Sequence, residues 1–228
     1  MIYELRRYSV ALGRMRDMHA RMERVLMPLF TEHGVPLPVG IWDAASGSSL
    51  PQLVWLLAWP DVQTRFEVWR RFYPVWRAVR EEDASPEFVL RTDVSLLEPW
   101  STEPLSFQGA QTAEDELWIL RLRLGCSSAA KQTALKAESS ALAAAGAAVV
   151  GGFDFMVGDL PQSALLLSWS DAEARRNAVA SFEQAPPLAA QRASDLERYG
   201  TPIIERVDRI LLERAPYRAV PGGPTPNA

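Results

Sequence analysis

Cysteine is nearly missing from this chain of 228 residues: Cys126 stands alone, so no disulfide can form within it. Histidine is almost as scarce. His19 and His33 are the only two, and with a single cysteine they give no zinc spacing, so no metal site is expected. There is no G-x-G-x-x-G, no P-loop and no G-x-S-x-G elbow, which removes the usual signatures of dinucleotide, nucleotide and α/β-hydrolase chemistry. Lys and Arg form no dense cluster and the net charge is −4, so nothing marks a nucleic-acid surface. The longest uncharged, apolar-leaning stretch, residues 139–153, is rich in Ala and Gly and too short to span a bilayer. The opening "MIYELRRYSV" lacks the basic start and apolar run of a secretory signal, and a cytoplasmic location is the expectation. What remains is ordinary. At 48% hydrophobic and 23% charged residues, the chain can build a real core.

What the sequence does have is a repeat. "LPQLVWLLAWPD" (50–61) returns as "LPQSALLLSWSD" (160–171). "IYELRR" (2–7) lines up with "LWILRL" (117–122), which sets Arg6 against Arg121. "EHGVPLPVGIWD" (32–43) lines up with "AAGAAVVGGFDF" (144–155), placing Gly34 against Gly146 and Trp42 against Phe153. "VSLLEP" (94–99) lines up with "RILLER" (209–214). The organisation expected is a unit at 1–100, a linker at 101–115 rich in Ser, Thr, Pro and Gly, a diverged second unit at 116–216, and a disordered Pro/Gly-rich tail at 217–228.

Each copy reads as the same elements. Residues 2–10 are strand-like. Residues 14–33 carry Met15, Met18, Met22, Leu26 and Leu29 at helical spacing, with Pro28 as a potential kink and Gly34 as the terminating glycine. Residues 39–45 and 53–59 are strands, Asp61 caps a helix, Pro74 fits the first turn of its continuation, and 88–98 is a last strand. In the second copy the Ala-rich 128–145 is the first helix and Pro186–Pro187 break the second. β-α-β-β-α-β is the ferredoxin-like split βαβ order. "LVWLLAW" is apolar at both parities, so both faces of its sheet must be covered. The fold expected is therefore α+β: two tandem ferredoxin-like (βαββαβ) units forming an intramolecular α+β barrel.

These residues also resemble a known family. "MIYELRRYSVALGRM", "HGVPLPVGIWD" and "LPQLVWLLAWPD", followed by an Arg-rich helix, are similar in order and spacing to NIPSNAP domains, well over residues 1–99 and more weakly over 116–214. The resemblance implies membership of the dimeric α+β barrel superfamily, with sheets paired face to face and a cavity inside. That superfamily includes cofactor-independent monooxygenases, isomerases, cyclases and haem-degrading enzymes, so the likeness leaves the chemistry open. Further dimerisation of the whole chain is compatible with it.

Candidate site residues come from uneven placement between the copies. Glu4, Arg6 and Tyr8 share one face of the first strand. If that face points into the barrel, an acid, a cation and a phenol meet an apolar interior, either as a polar patch that orients a substrate or as a structural ion pair. His19 is a candidate general acid or base, or a half-buried helix residue. Haem ligation by His19 lacks supporting pocket residues, and no cofactor is expected. His33 reads as structural, at a helix C-terminus. Cys126 precedes a helix but has no base near it in sequence. Trp42, Trp55, Trp59, Trp69 and Trp76, with Arg121, form the substrate-binding set, although tryptophans at such spacing also serve as core. The function expected is a cofactor-independent isomerase, cyclase or monooxygenase acting on a small, largely apolar molecule. The alternative is a non-catalytic ligand-binding or interaction protein, with the Ala-rich helix as its surface. An enclosed pocket with converging polar groups separates the first from the second.

Overall fold

The computed structural model describes residues 1–83, 85–107 and 113–217. The elements run β1 (Ile2–Val10), α1 (Met15–Arg21), a π-helical turn (Met22–Leu26), α2 (Met27–His33), β2 (Gly40–Ala44), β3 (Gln52–Trp59), α3 (Val62–Asp83) and β4 (Val89–Pro99). The second half gives β5 (Glu114–Leu122), α4 (Ser128–Ala144), β6 (Ala148–Val157), β7 (Gln162–Trp169), α5 (Ala172–Phe182), α6 (Pro186–Tyr199) and β8 (Ile204–Arg214). Eight strands close into one barrel in the order β1-β3-β2-β8-β5-β7-β6-β4. Each half contributes a four-stranded ferredoxin-like sheet. The two sheets join through β2 with β8 and β4 with β6, both antiparallel. No helix among the described residues is long and apolar enough to cross a membrane.

β3 shows why its sequence is apolar at both parities. Leu53, Trp55, Leu57 and Trp59 pack under the helices. Val54 and Leu56 pack inside the barrel with Tyr3, Leu5, Trp42, Phe153 and Leu166. The first helix does not simply kink at Pro28. Proline offers no N–H to the carbonyl one turn back, and the turn before it widens, with the Met27 N–H donating to the Met22 carbonyl. Gly34 then closes α2 in the left-handed region, φ 73°. α3 passes through Pro74 as one helix, without the expected break. Asp61 and Asp171, the last residues of the repeated phrase, cap α3 and α5: their carboxylates accept from the Thr64 and Ala174 backbone N–H groups at 2.7 and 2.8 Å.

One boundary differs from composition. The second sheet begins at Glu114, inside the stretch that reads as linker, because Asp115 and Glu116 are buried strand residues. Of that linker, residues 108–112 lie outside the described residues, as does the tail from 218. The Ala-rich helix α4 turns Leu135, Ala141 and Leu142 inward and packs against α6, so its smooth face has a partner within the chain.

Candidate functional site

Strand register corrects the repeat at β1. Glu4 stands opposite Leu57 on β3 and Leu96 on β4. Glu116 stands opposite Leu167 and Leu211, the matching positions of the second half. Glu4 therefore corresponds to Glu116, Arg6 to Trp118 and Tyr8 to Leu120. Matching Arg6 to Arg121 slips the strand by three residues, and an odd slip exchanges its two faces. The acid does recur. Trp59 Nε1 donates to Glu4 at 2.9 Å, and Trp169 Nε1 donates to Glu116 at 3.2 Å.

The same parity places Glu4, Arg6 and Tyr8 on the helix-facing side, not in the barrel. The barrel interior is filled: the space left among Leu5, Trp42, Leu117 and their neighbours is about 10 Å³. A cavity of about 310 Å³ lies instead between the first sheet and its helices. β1 supplies Arg6 and Tyr8, β3 supplies Trp55, and β4 supplies Thr92 and Val94. α3 supplies Trp69, Phe72, Tyr73 and Trp76, while Met18, Arg21 and Phe30 close the other wall. Tyr73 and Val94 are 47% and 38% exposed and mark its opening.

Arg6 is the centre of this wall. Its Nε donates to Glu4 at 2.7 Å, Nη1 to the Tyr8 hydroxyl at 2.7 Å, and Nη2 to the Tyr73 hydroxyl at 3.1 Å. The guanidinium lies 4.1 Å from the Trp69 ring and 5.2 Å from that of Trp55. Burial alone would push its pKa down, but Tyr8, Glu4 and Tyr73 outweigh burial and raise it, so Arg6 is a permanent cation. Burial raises the Tyr8 pKa against the pull of Arg6, which keeps the phenol protonated. Both hydroxyl oxygens accept from Arg6, so each hydroxyl hydrogen is left to donate into the cavity. The site offers one fixed cation and two phenol donors, backed by aromatic planes.

Glu4 supports this group from behind. Fully buried, it accepts from Arg6, from both Nε and Nη2 of Arg65, and from Trp59 and Trp69. Burial pushes its carboxyl up; Arg65, Arg6 and Trp69 overcome that and hold it below the ordinary carboxylate range. Five donors thus converge on this one carboxylate.

The other candidates separate. Trp55, Trp69 and Trp76 line the cavity. Trp59 is core, tied to Glu4, and Trp42 is inside the barrel, donating to Asp115 at 2.8 Å. Arg121 pairs with Asp159 at the barrel mouth. His19 is not in the cavity wall: its ring contacts Asp43 at 2.9 Å and Tyr217 at 3.2 Å. His33 ends α2 against Phe72. Cys126 donates its thiol to the Arg123 carbonyl. Tyr73, Arg21 and Arg65 were not anticipated. Tyr73 follows Trp69 by one helical turn, and Arg65 recurs as Arg175, which pairs with Glu114 at 2.7 Å; both signals were in the sequence. No group of His, Cys, Asp and Glu able to hold a metal occurs among the described residues.

The matching place in the second half is filled by described side chains. Trp118, at the Arg6 position, is fully buried under α5, against Phe182. The space near Glu138 and Arg192 is about 10 Å³.

Comparison with solved structures agrees with this architecture. A candidate monooxygenase from Lactobacillus acidophilus superposes with a TM-score of 0.57 at 12% identity, over 93% of each chain. Chlorite dismutase from Candidatus Nitrospira defluvii gives 0.57 at 8% identity, over 94% of this chain and 91% of its own. An uncharacterised NIPSNAP domain protein from Burkholderia xenovorans is 21% identical over 46% of this chain and 99% of its own, with a TM-score of 0.38. No curated protein matches the chain. The NIPSNAP family model matches residues 3–104, the span of the whole first sheet and its helices, so the first half of this chain is similar to NIPSNAP domains.

Proposed function

We propose that the cavity of the first half binds a small, flat, largely apolar molecule through one oxygen and stabilises that oxygen as an anion. The observation that carries this is the convergence of Arg6, Tyr8 and Tyr73 on one end of an aromatic-walled space. Preorganised donors aimed at developing negative charge are the largest single source of catalysis in many enzymes. A volume of about 310 Å³ is at the small end of ligand pockets and suits one or two rings. An enol or phenol bound there loses its proton to water more readily, and its electron-rich carbon then takes a proton back from water, closes a ring by adding to a carbonyl of the same molecule, or adds dioxygen and a proton to give a hydroperoxide that loses water to leave a ketone or quinone. Isomerisation needs only proton return and is the first choice, cyclisation the second. Oxygenation by dioxygen fits the candidate monooxygenase among the structural neighbours. Glu87, the carboxylate in the wall, is engaged by Arg21 at 2.7 Å, so the substrate's own acidity starts the reaction. Trp118 in place of the cation makes the second half a structural partner.

The test is the ionisation of bound 4-nitrophenol, read by its absorbance against pH. Each donor to an anion is worth about 1.5–3 kcal/mol, or about one to two pKa units. The wild-type protein should lower the pKa of the bound phenol. Tyr8→Phe and Tyr73→Phe should each return part of the shift, and Arg6→Met most of it. A bound phenol that ionises as it does in water, or identically in all four proteins, would refute the assignment.

A further inference from the structure

The opposite face of β1 leads to a second site. Arg7 shares its parity with Tyr3 and Leu5, so it points into the barrel, at the end where Ile119 and Ile210 form an apolar floor. A cup of about 560 Å³ opens there, rimmed by the β2–β3 turn with Ser46, Ser48 and Ser49. Charges crowd its wall, and their pairing leaves one over. Asp93 pairs with Arg91 at 2.8 Å, Asp208 with Arg206 at 2.6 Å, and Asp159 with Arg121. Arg209 is taken by Glu183 at 2.9 Å. Of these wall side chains, only that of Arg7 makes no ion pair or hydrogen bond among the described residues, although it is half-buried. Burial and Arg91 push its pKa down, while Asp93 and Asp208 attract it without touching it.

The repeat shows that this surplus is specific to one half. Arg91 and Asp93 on β4 correspond to Arg206 and Asp208 on β8, so these pairs occur twice. Arg7 corresponds to Ile119, an apolar floor residue, so the extra cation occurs once. A partly buried guanidinium without acceptors is costly unless something supplies them. We infer that the barrel mouth binds a small monocarboxylate, its oxygens on Arg7 and its apolar part on Ile119 and Ile210. One surplus positive charge matches one negative charge. A phosphate dianion would bring a second charge against Asp93, Asp159 and Asp208. The site lies across the sheet from the cavity and does not rest on the function proposed above.

Calorimetric titration at low ionic strength with benzoate, benzamide and inorganic phosphate tests it, using the intact chain. At the Arg7 site benzoate should bind the wild-type protein, and benzamide and phosphate should bind there about tenfold or more weakly. Arg7→Gln should weaken benzoate by about tenfold or more. Asp93→Asn releases Arg91 as a second free cation and should tighten it severalfold. Arg7→Gln should leave the ionisation of 4-nitrophenol in the first cavity unchanged and should not lower Tm, because the Arg7 side chain makes no bond to lose. The inference is overturned if benzoate does not bind. It is equally overturned if binding is the same in Arg7→Gln, if it follows Tyr8→Phe instead, or if Arg7→Gln lowers Tm without touching affinity.

Discussion

Glu4 shows how one buried charge is made tolerable. A lone carboxylate under a sheet would be expelled or protonated. Here Arg6, Arg65, Trp59 and Trp69 satisfy both oxygens. The consequence for pH follows from direction alone. Its carboxyl lies below the ordinary value in the folded chain, so its stabilisation is complete above the unfolded value, about 4.3, and is lost as pH falls through the folded one. Glu4→Gln should cost about 3 kcal/mol or more at pH 7, as breaking a buried pair does. The gap should narrow in strongly acid solution, measured by denaturant unfolding at both pH values. The residue was legible as a pair with Arg6. Its two tryptophan donors were not, because both come from other elements.

At the scale of elements, two buried carboxylates contrast. Glu138 lies on the inner face of α4, is 1% exposed, and meets only Arg192 at 3.3 Å. Burial dominates and raises its carboxyl above the usual range. A raised carboxyl contributes fully below its unfolded value, and that contribution is lost as pH rises through the folded one. Glu138→Gln should therefore stabilise the protein near pH 8 and change little near pH 4, which Tm measured across that range will show. Periodicity located α4 closely, as 128–145 against Ser128–Ala144. It did not show that α6 covers the Ala-rich face, since pattern reports that a face is apolar and not what meets it.

For the whole molecule, closure of the barrel depends on contacts between halves. Asp115 sits at the barrel end opposite Arg7. It accepts from Trp42 of the first half at 2.8 Å and from Arg214 Nε and Nη2 of the second, each at 2.8 Å. β2 pairs with β8 at this point, Trp42 opposite Arg214. Asp115→Asn strips a buried guanidinium of this carboxylate and weakens the seam. The expected loss is about 3 kcal/mol or more, with a single cooperative transition retained, checked by calorimetry. An unchanged stability would show that this contact does not hold the seam, and separate unfolding of the two halves would show that their coupling rests on it alone.

By itself the sequence determined the element order, the duplication and the need for a second sheet. Those depend on local periodicity and on an apolar strand that has to be covered on both faces. It also singled out the half with Arg6, Tyr8 and the extra tryptophans. The tertiary structure alone decided which face of β1 those residues occupy, because a three-residue ambiguity in matching two short strands reverses every side chain along them. It therefore placed the cavity under the helices rather than within the barrel, sent His19 to Asp43 and Tyr217 instead of to Arg6, and left Arg7 without an ion pair among the described residues at the barrel mouth. Register is set by hydrogen bonds between distant strands, and no stretch of sequence read alone contains it.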